Sequence, residues 1–259
     1  MKKLGFIGMG NMASAIANGI VSSGFLKGED IIAYDLLKSQ LEKNSYIGFE
    51  VAQNEKEVVN QCDIVLIAVK PQVVEKVLLP LKDDLKNKAL ISIVLGYDFE
   101  KYNTILDKST RHVFVMPNTP AQVLEGMSLI EAQHSLTSQE FEFTKSLFES
   151  IGEVEVVPSH LMGVGGALSG SAPAFIYMII EALADGAVLE GMPRDMAYRL
   201  ASQMVLGSGK MQRVTKIHPG ILKDNVCSPG GSTIRGVKAL EDNKIRSAFM
   251  EAIFKTTHK

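Results

Sequence analysis

Apolar positions in the first part of the chain fall into short continuous runs separated by amphipathic stretches. "KLGFI" is followed at once by "GMGNMA" and then by "SAIANGIVSSG", in which Ile16 and Ile20 stand at helical spacing and Gly24 supplies a stop. "DIIAYD" predicts a second strand ending in Asp35, and "DIVLIAVKP", "ALISIVLG" and "HVFVMPNTP" predict three more. Between two of these lies the helix "QVVEKVLLPLKDDL", interrupted by Pro80. Apolar strands alternating with helices imply a parallel sheet covered on both faces, hence an α/β fold with a doubly wound sheet. "GMSLIEA", a helix around residues 138–150 and a last strand "GEVEVVP" complete this region.

Strands cease at about Ser159. A long apolar helix is expected over 172–190, opened by Ser171 with Pro173 in its first turn and closed by Gly191. A second helix follows Pro193, with Met196, Ala197, Leu200, Ala201, Met204 and Val205 at helical spacing. This methionine-rich stripe reads as core or subunit contact rather than as a cofactor box. Two domains are therefore expected, residues 1–158 with the sheet and residues 159–259 all helical. So many apolar faces on the helical part call for a homo-oligomer.

The composition excludes several classes of function. Of 259 residues, 46% are hydrophobic and 22% charged, which describes an ordinary globular protein. A formal net charge of -2, with no basic face interleaved with aromatics, argues against nucleic acid as a partner. Cys62 and Cys227 are the only cysteines, which suits a reducing cytoplasm better than a disulfide framework. The start "MKKLGFIGMGNMASA" imitates a signal peptide, but Gly5, Gly8, Gly10 and Asn11 break its apolar run, so it is expected to remain in the mature chain. The stretch "AFIYMIIEALADGAVLEGM" carries Glu181, Asp185 and Glu190, so it is expected to be a buried soluble helix and not a membrane span.

The glycine run carries the first chemistry. Gly8, Gly10 and Ala13 form G-x-G-x-x-A between a strand and a helix, and Asp35 ends the next strand. In such a β-α-β unit the first glycine permits the tight turn, the second lets the backbone approach a pyrophosphate, and the small third residue lets helix pack on strand. A Rossmann-type dinucleotide site is the reading, with a ligand-free tight turn as the plain alternative. Ligands lie over the carboxyl ends of the strands in these sheets. Two further ends stand out, "VKP" at Val69 to Pro71 and "PNTP" at Pro117 to Pro120. A solvated lysine at Lys70, and turn chemistry at Asn118 and Thr119, are the alternatives there.

In the helical part, "CSPGGSTIRG", Cys227 to Gly236, places Pro, two glycines, Ser232 and Thr233 just before a helical pattern. Free N–H groups at such a helix start attract anions, although an ordinary capped turn has the same composition. The five histidines show no metal-site pairing, neither cysteine sits in C-x-x-C, and neither a G-x-S-x-G elbow nor a P-loop is present. Hydride transfer remains, in which the cofactor carries the hard step and the protein supplies position and a proton.

The segments "GFIGMGNM", "AVKPQ", "MPNTPA", "LSGSAPAFIYMIIEALADGAV", "GMPRDMA" and "HPGILKDNVCSPGGSTIRG" resemble the pyrroline-5-carboxylate reductases, in the same order along the whole chain. "SGSAPAF" followed by "CSPGGSTI" is the specific part of that resemblance. It implies an amino-terminal Rossmann-type domain and an all-helical dimerisation domain. It also implies reduction of (S)-1-pyrroline-5-carboxylate to L-proline by NADPH or NADH in a homodimer or dimer-based decamer. Dinucleotide contacts then fall on Gly8, Gly10, Asn11, Met12, Asn54, Val69, Lys70 and Pro71, with Asp35 and Asn118 beside them. The loop for the cyclic imine carboxylate falls on Ser228, Gly230, Gly231, Ser232 and Thr233. Thr233 takes the catalytic place of donor to the ring nitrogen, and no metal is implied. Many NADPH-using relatives carry a small or hydroxylic residue where Asp35 stands. An anion about 4 Å from a 2′-phosphate costs about 1–4 kcal/mol, so Asp35 favours NADH, although Lys38 stands three residues on and would offset a phosphate. A β-hydroxyacid dehydrogenase would place a lysine on the long helix, and residues 172–190 contain none. A non-catalytic dinucleotide sensor would have no use for the polar glycine loop.

Overall fold

The computed structural model describes residues 2–258. The chain divides into two compact units, Met1–Gly170 and Ser171–Lys259. Among the described residues the first unit holds eight strands: β1 (Leu4–Ile7), β2 (Ile31–Tyr34), β3 (Glu50–Val51), β4 (Ile64–Ile67), β5 (Ala89–Ser92), β6 (Arg111–Met116), β7 (Gly126–Glu131) and β8 (Gly152–Val157). They form one sheet in the order β3-β2-β1-β4-β5-β6-β7-β8. Helices α1 (Asn11–Ser22), α2 (Lys38–Lys43), α3 (Glu55–Gln61), α4 (Val74–Leu78), α5 (Phe99–Ile105), α6 (Ser138–Glu149) and α7 (Ser159–Gly166) accompany it.

Each central strand buries both faces, which is why its sequence reads as an unbroken apolar run. Phe6 pairs in register with Ala33 on one side and Leu66 on the other, and all three enter one core with Ile16, Ile20 and Phe148. One residue along, Ile7 pairs with Ile67, and both enter a second core with Val58, Leu78 and Tyr102. The chain leaves β1 toward β2 and β3, then returns to place β4 on the other side of β1. This reversal creates a topological switch point at the β1–β4 pair, where a crevice opens beyond the carboxyl ends of the strands.

The doubly wound class stands, but β7 departs from the parallel sheet expected. It runs antiparallel to β6, with Val115 opposite Ile130 and Met116 opposite Leu129. Only residues 117–125 join the two strands, and they form a 3-10 turn at Thr119–Val123. A parallel return needs a crossover of a dozen residues or more, so the short link forces a reversal. The longer link through α6 restores parallel pairing between β7 and β8.

The second unit contains α8 (Ala172–Leu189), α9 (Arg194–Thr215), α10 (Pro219–Asn225), α11 (Ser232–Asp242) and α12 (Ile245–Thr257). Helices α8 and α9 pack on one another, and Arg194 at the start of α9 pairs with Asp185 of α8. The expected start of the long helix at Ser171 is corrected here. Helix runs without a break from Ser159 to Leu189, through a π turn at Ala167–Ser171. Ser171 has helical backbone angles, φ -96 and ψ -37, and caps nothing. Pro173 has no N–H to donate back along the helix, and a widened turn just ahead of it accommodates the ring without ending the helix.

The expected burial of this helix is corrected as well. In the single chain Ala184 is the one buried residue of α8, while Ile176, Tyr177, Met178, Leu183 and Leu189 are exposed. By length and composition Ser159–Leu189 would also suffice to cross a membrane.

Candidate active site

The glycine loop between β1 and α1 is fixed by its neighbours. Gly8 has φ +94, a left-handed conformation, and a Cβ placed there would lie 2.7 Å from the Ala68 carbonyl oxygen at the end of β4. Only glycine fits. Gly8 N–H donates to the Tyr34 carbonyl at 2.8 Å, and Met9 N–H donates to Asp35 Oδ2 at 2.7 Å, which ties the loop to the end of β2. Gly10 is the N-cap of α1 and differs in kind: its φ is -71, and a Cβ there would meet nothing within 4 Å. No side chain caps α1, so the donors of its first turn, from Asn11 and Met12 onward, are left to a ligand. An open cradle beside an uncapped helix start is what a pyrophosphate needs, and the donor set fits it.

The structure brings Gly8, Gly10, Asp35 and Val69 together at the switch point. Val69 Cγ1 would lie 3.3 Å from a Cβ on Gly8, and Lys70 follows with an exposed side chain that makes no ion pair among the described residues. Pro71 opens a 3-10 turn. Asp35 is half-buried, and its Oδ1 accepts from Leu37 N–H at 2.8 Å, so both carboxylate oxygens are held. Lys38 is exposed in α2. Burial, followed by the negative charges of Glu55 and Asp35, raises the Tyr34 phenol above its ordinary range.

Two of the expected contacts have internal duties. Asn54 is the N-cap of α3, its Oδ1 accepting from Glu57 N–H at 2.9 Å, while Gln53 N–H donates back to Glu57. The Asn118 side chain is buried; its Oδ1 accepts from Met127 N–H at 2.8 Å and its Nδ2 donates to the Ser169 carbonyl at 2.9 Å. Asn118 thus ties the end of β6 to the start of β7 and to the π turn, so its side chain is committed within the fold. Ser14 was not singled out by sequence, yet its Oγ donates to the Met9 carbonyl at 3.0 Å. A lone serine on a helical pattern gives no signal of such a bond.

In the second unit the loop before α11 is a tight turn. Gly231 N–H donates to the Ser228 carbonyl at 3.0 Å, Pro229 occupies the second position, and Gly230 has φ +69 at the third. That is a type II turn, which requires a positive φ at its third residue. Arg235 Nη1 donates to the Gly230 carbonyl at 2.9 Å and braces the turn from α11. Gly231 is the N-cap of α11, and a Cβ there would lie 2.5 Å from Ser228 Oγ. No side chain caps the helix, so Ser232 and Thr233 are first-turn residues with exposed, uncommitted hydroxyls. No side-chain cap forms in this stretch. Cys227, just before the turn, is a half-buried free thiol, whereas burial pushes the Cys62 thiol up to about 12. Among the described residues no group of three His, Cys, Asp or Glu side chains lies together as a metal site would require.

Each unit thus presents a helix that starts on glycine with its first N–H groups uncapped. Residues 159–259 match the family model for pyrroline-5-carboxylate reductase dimerisation, and residues 3–96 match that for coenzyme F420-dependent NADP oxidoreductases. The chain is 42% identical to a pyrroline-5-carboxylate reductase of Methanosarcina acetivorans, over all of this chain and 96% of that one. It is 39% identical to that of Escherichia coli, over all of this chain and 97% of that one. The structure of Plasmodium falciparum pyrroline carboxylate reductase with NADP bound superposes with a TM-score of 0.89 at 32% identity, covering 99% of this chain and 95% of that one. A glycine cradle at the switch point, a second glycine turn at the head of α11, and likeness along the full length lead to one conclusion: the chain belongs to the pyrroline-5-carboxylate reductase family.

Proposed function

We propose that this chain reduces (S)-1-pyrroline-5-carboxylate to L-proline with NADH or NADPH, the last step of proline biosynthesis. Family membership supports the reading, and the observation that carries it in the structure is the uncapped start of α11 behind the type II turn. The substrate is a small ring bearing a carboxylate and a C=N bond. The N–H groups at Ser232 and Thr233, in the uncapped first turn of α11, suit the carboxylate without an arginine contact, each charge-assisted bond contributing about 1.5–3 kcal/mol. The Thr233 hydroxyl, which no helix cap consumes, would donate to the ring nitrogen. Ser228 and Gly230 hold the turn that aims these groups.

The dihydronicotinamide supplies the hydride when bound. Gly8, Gly10, Asn11 and Met12 would hold its pyrophosphate, with Val69, Lys70 and Pro71 at the neighbouring strand end and the free amide nitrogen of Asn54 toward the adenosine side. Asp35 presents a fixed anion where a ribose 2′-hydroxyl would donate, which supports NADH over NADPH. Functionally we place the division at residues 1–158 for the cofactor and 159–259 for substrate and assembly, and the dimerisation match begins at residue 159.

The exposed apolar side chains of α8 and α9 support a dimer, or a decamer of dimers, as the working form in the cytoplasm, in preference to a membrane span. The decisive experiment is the oxidation of NADH and NADPH by the purified chain with and without the cyclic imine. Oxidation that requires the imine, with proline as product, is expected, and its absence with both nucleotides would sink the assignment. Sedimentation at micromolar concentration is expected to show a dimer or larger, and a folded monomer would refute the assembly.

A further inference from the structure

Met9 stands between two glycines of the cofactor loop, and every part of it is held. Its side chain is fully buried among Phe6, Ile16 and Ala33. Its N–H donates to Asp35 Oδ2 at 2.7 Å, and its carbonyl accepts from Ser14 Oγ at 3.0 Å. Asp35 is itself oriented, because its other oxygen accepts from Leu37 N–H at 2.8 Å. The residues on either side are glycines, which carry no side chain to anchor them: Gly8 in its left-handed conformation, and Gly10 with open space where a side chain would be. A rigid residue between two permissive ones sets the direction in which the N–H groups of Gly10, Asn11 and Met12 point.

We propose that Asp35 and Ser14 are positioning residues of the cofactor loop, clamping Met9 from both sides so that the loop's N–H groups are aimed before any nucleotide arrives. The proposal rests on the cofactor reading above and changes what Asp35 means within it. The same carboxylate that would face the ribose also builds the pyrophosphate cradle, so nucleotide choice and nucleotide affinity share one side chain. Replacing Asp35 relieves the repulsion toward a 2′-phosphate and at the same time releases Met9. A change at this position alone therefore shifts preference toward NADPH without producing a better NADPH enzyme.

Calorimetric titration of NADH and NADPH into the intact chain, without substrate, tests this. The chain contains no tryptophan, so a protein-fluorescence assay would lack its usual signal. Ser14→Ala is expected to raise both dissociation constants by the same factor, about 2- to 10-fold, with the KM for the imine unchanged. Ser14→Thr, which keeps the hydroxyl, is expected to restore them. Asp35→Ser is expected to weaken NADH by at least about tenfold and to move the NADPH to NADH ratio by about tenfold, with NADPH bound no more tightly than by the parent chain. Asp35→Asn keeps one acceptor oxygen and is expected to fall between the two. A purely structural serine bond would lower thermal stability and leave both dissociation constants in place; that result overturns the clamp, as does an Asp35→Ser chain that binds NADPH more tightly than the parent. A parent chain that binds neither nucleotide would instead remove the cofactor reading itself, and the clamp with it.

Discussion

Thr233→Ala is expected to lower kcat/KM for the cyclic imine by about 10- to 1,000-fold while nucleotide affinity stays within about twofold. The hydroxyl is exposed at the second position of α11 and caps nothing, so its removal takes no bond from the fold. As hydride arrives, the ring nitrogen gains electron density, and a donor aimed at it is strengthened most in the transition state. The loss therefore falls on kcat as well as on KM. Thr233→Ser keeps the donor and should recover most of the activity. The rival account makes Thr233 a helix stabiliser, for which full activity with thermal stability lower by about 1 kcal/mol would be the signature. Steady-state kinetics and a melting curve on the same preparation decide between the two.

Gly8→Ala and Gly10→Ala, two substitutions two residues apart, should fail in different ways. At Gly8 the added methyl forces a side chain into φ +94 and meets the backbone carbonyl of Ala68, so the cost is about 1–2 kcal/mol for the conformation and more for the clash. The chain should melt earlier and lose nucleotide affinity by about 100-fold or more, because the loop must move away from β4. At Gly10 the backbone angles suit any residue and the methyl meets no protein atom. Melting should hold, and only the ligand should feel the change. Equal melting temperatures for the two variants would overturn the assignment of Gly8 as the steric keystone of the loop.

The alternation of apolar runs and helices, the glycine spacing and the position of Asp35 were legible because each follows from one local rule. Strand faces buried on both sides read as continuous hydrophobic runs, and a turn that needs a positive φ reads as glycine. What escaped the sequence depends on pairs of residues far apart. The reversal of β7 follows from the length of the link over residues 117–125, yet the strand itself looks like any other apolar run. Asn118 stands in a polar strand end, where its type fits a ligand donor as well as an internal tie, and only the positions of Met127 and Ser169 settle its bonds. The Ser14 bond to Met9 and the π turn at Ala167–Ser171 are likewise set by packing rather than by residue type. At the loop before α11 the opposite holds: Pro229, Gly230 and Gly231 dictate the type II turn almost alone.

Among the described residues of Ser171–Lys259, the buried apolar side chains are those of Ala184, Ala197 and Ala201, with nothing larger among them. Three fully buried methyl groups contribute little against the conformational entropy lost by nearly ninety residues, at about 1–2 kcal/mol each. On the proposed assembly, a second copy covering the exposed apolar faces of α8 and α9 supplies the missing interior, and stability is then coupled to association by mass action. Each tenfold dilution then removes about 1.4 kcal/mol from the assembled state. The loop from Ser228 to Thr233 belongs to that unit, so if it holds the substrate as proposed, that capacity rises and falls with the chain's own concentration, with no change in any covalent bond.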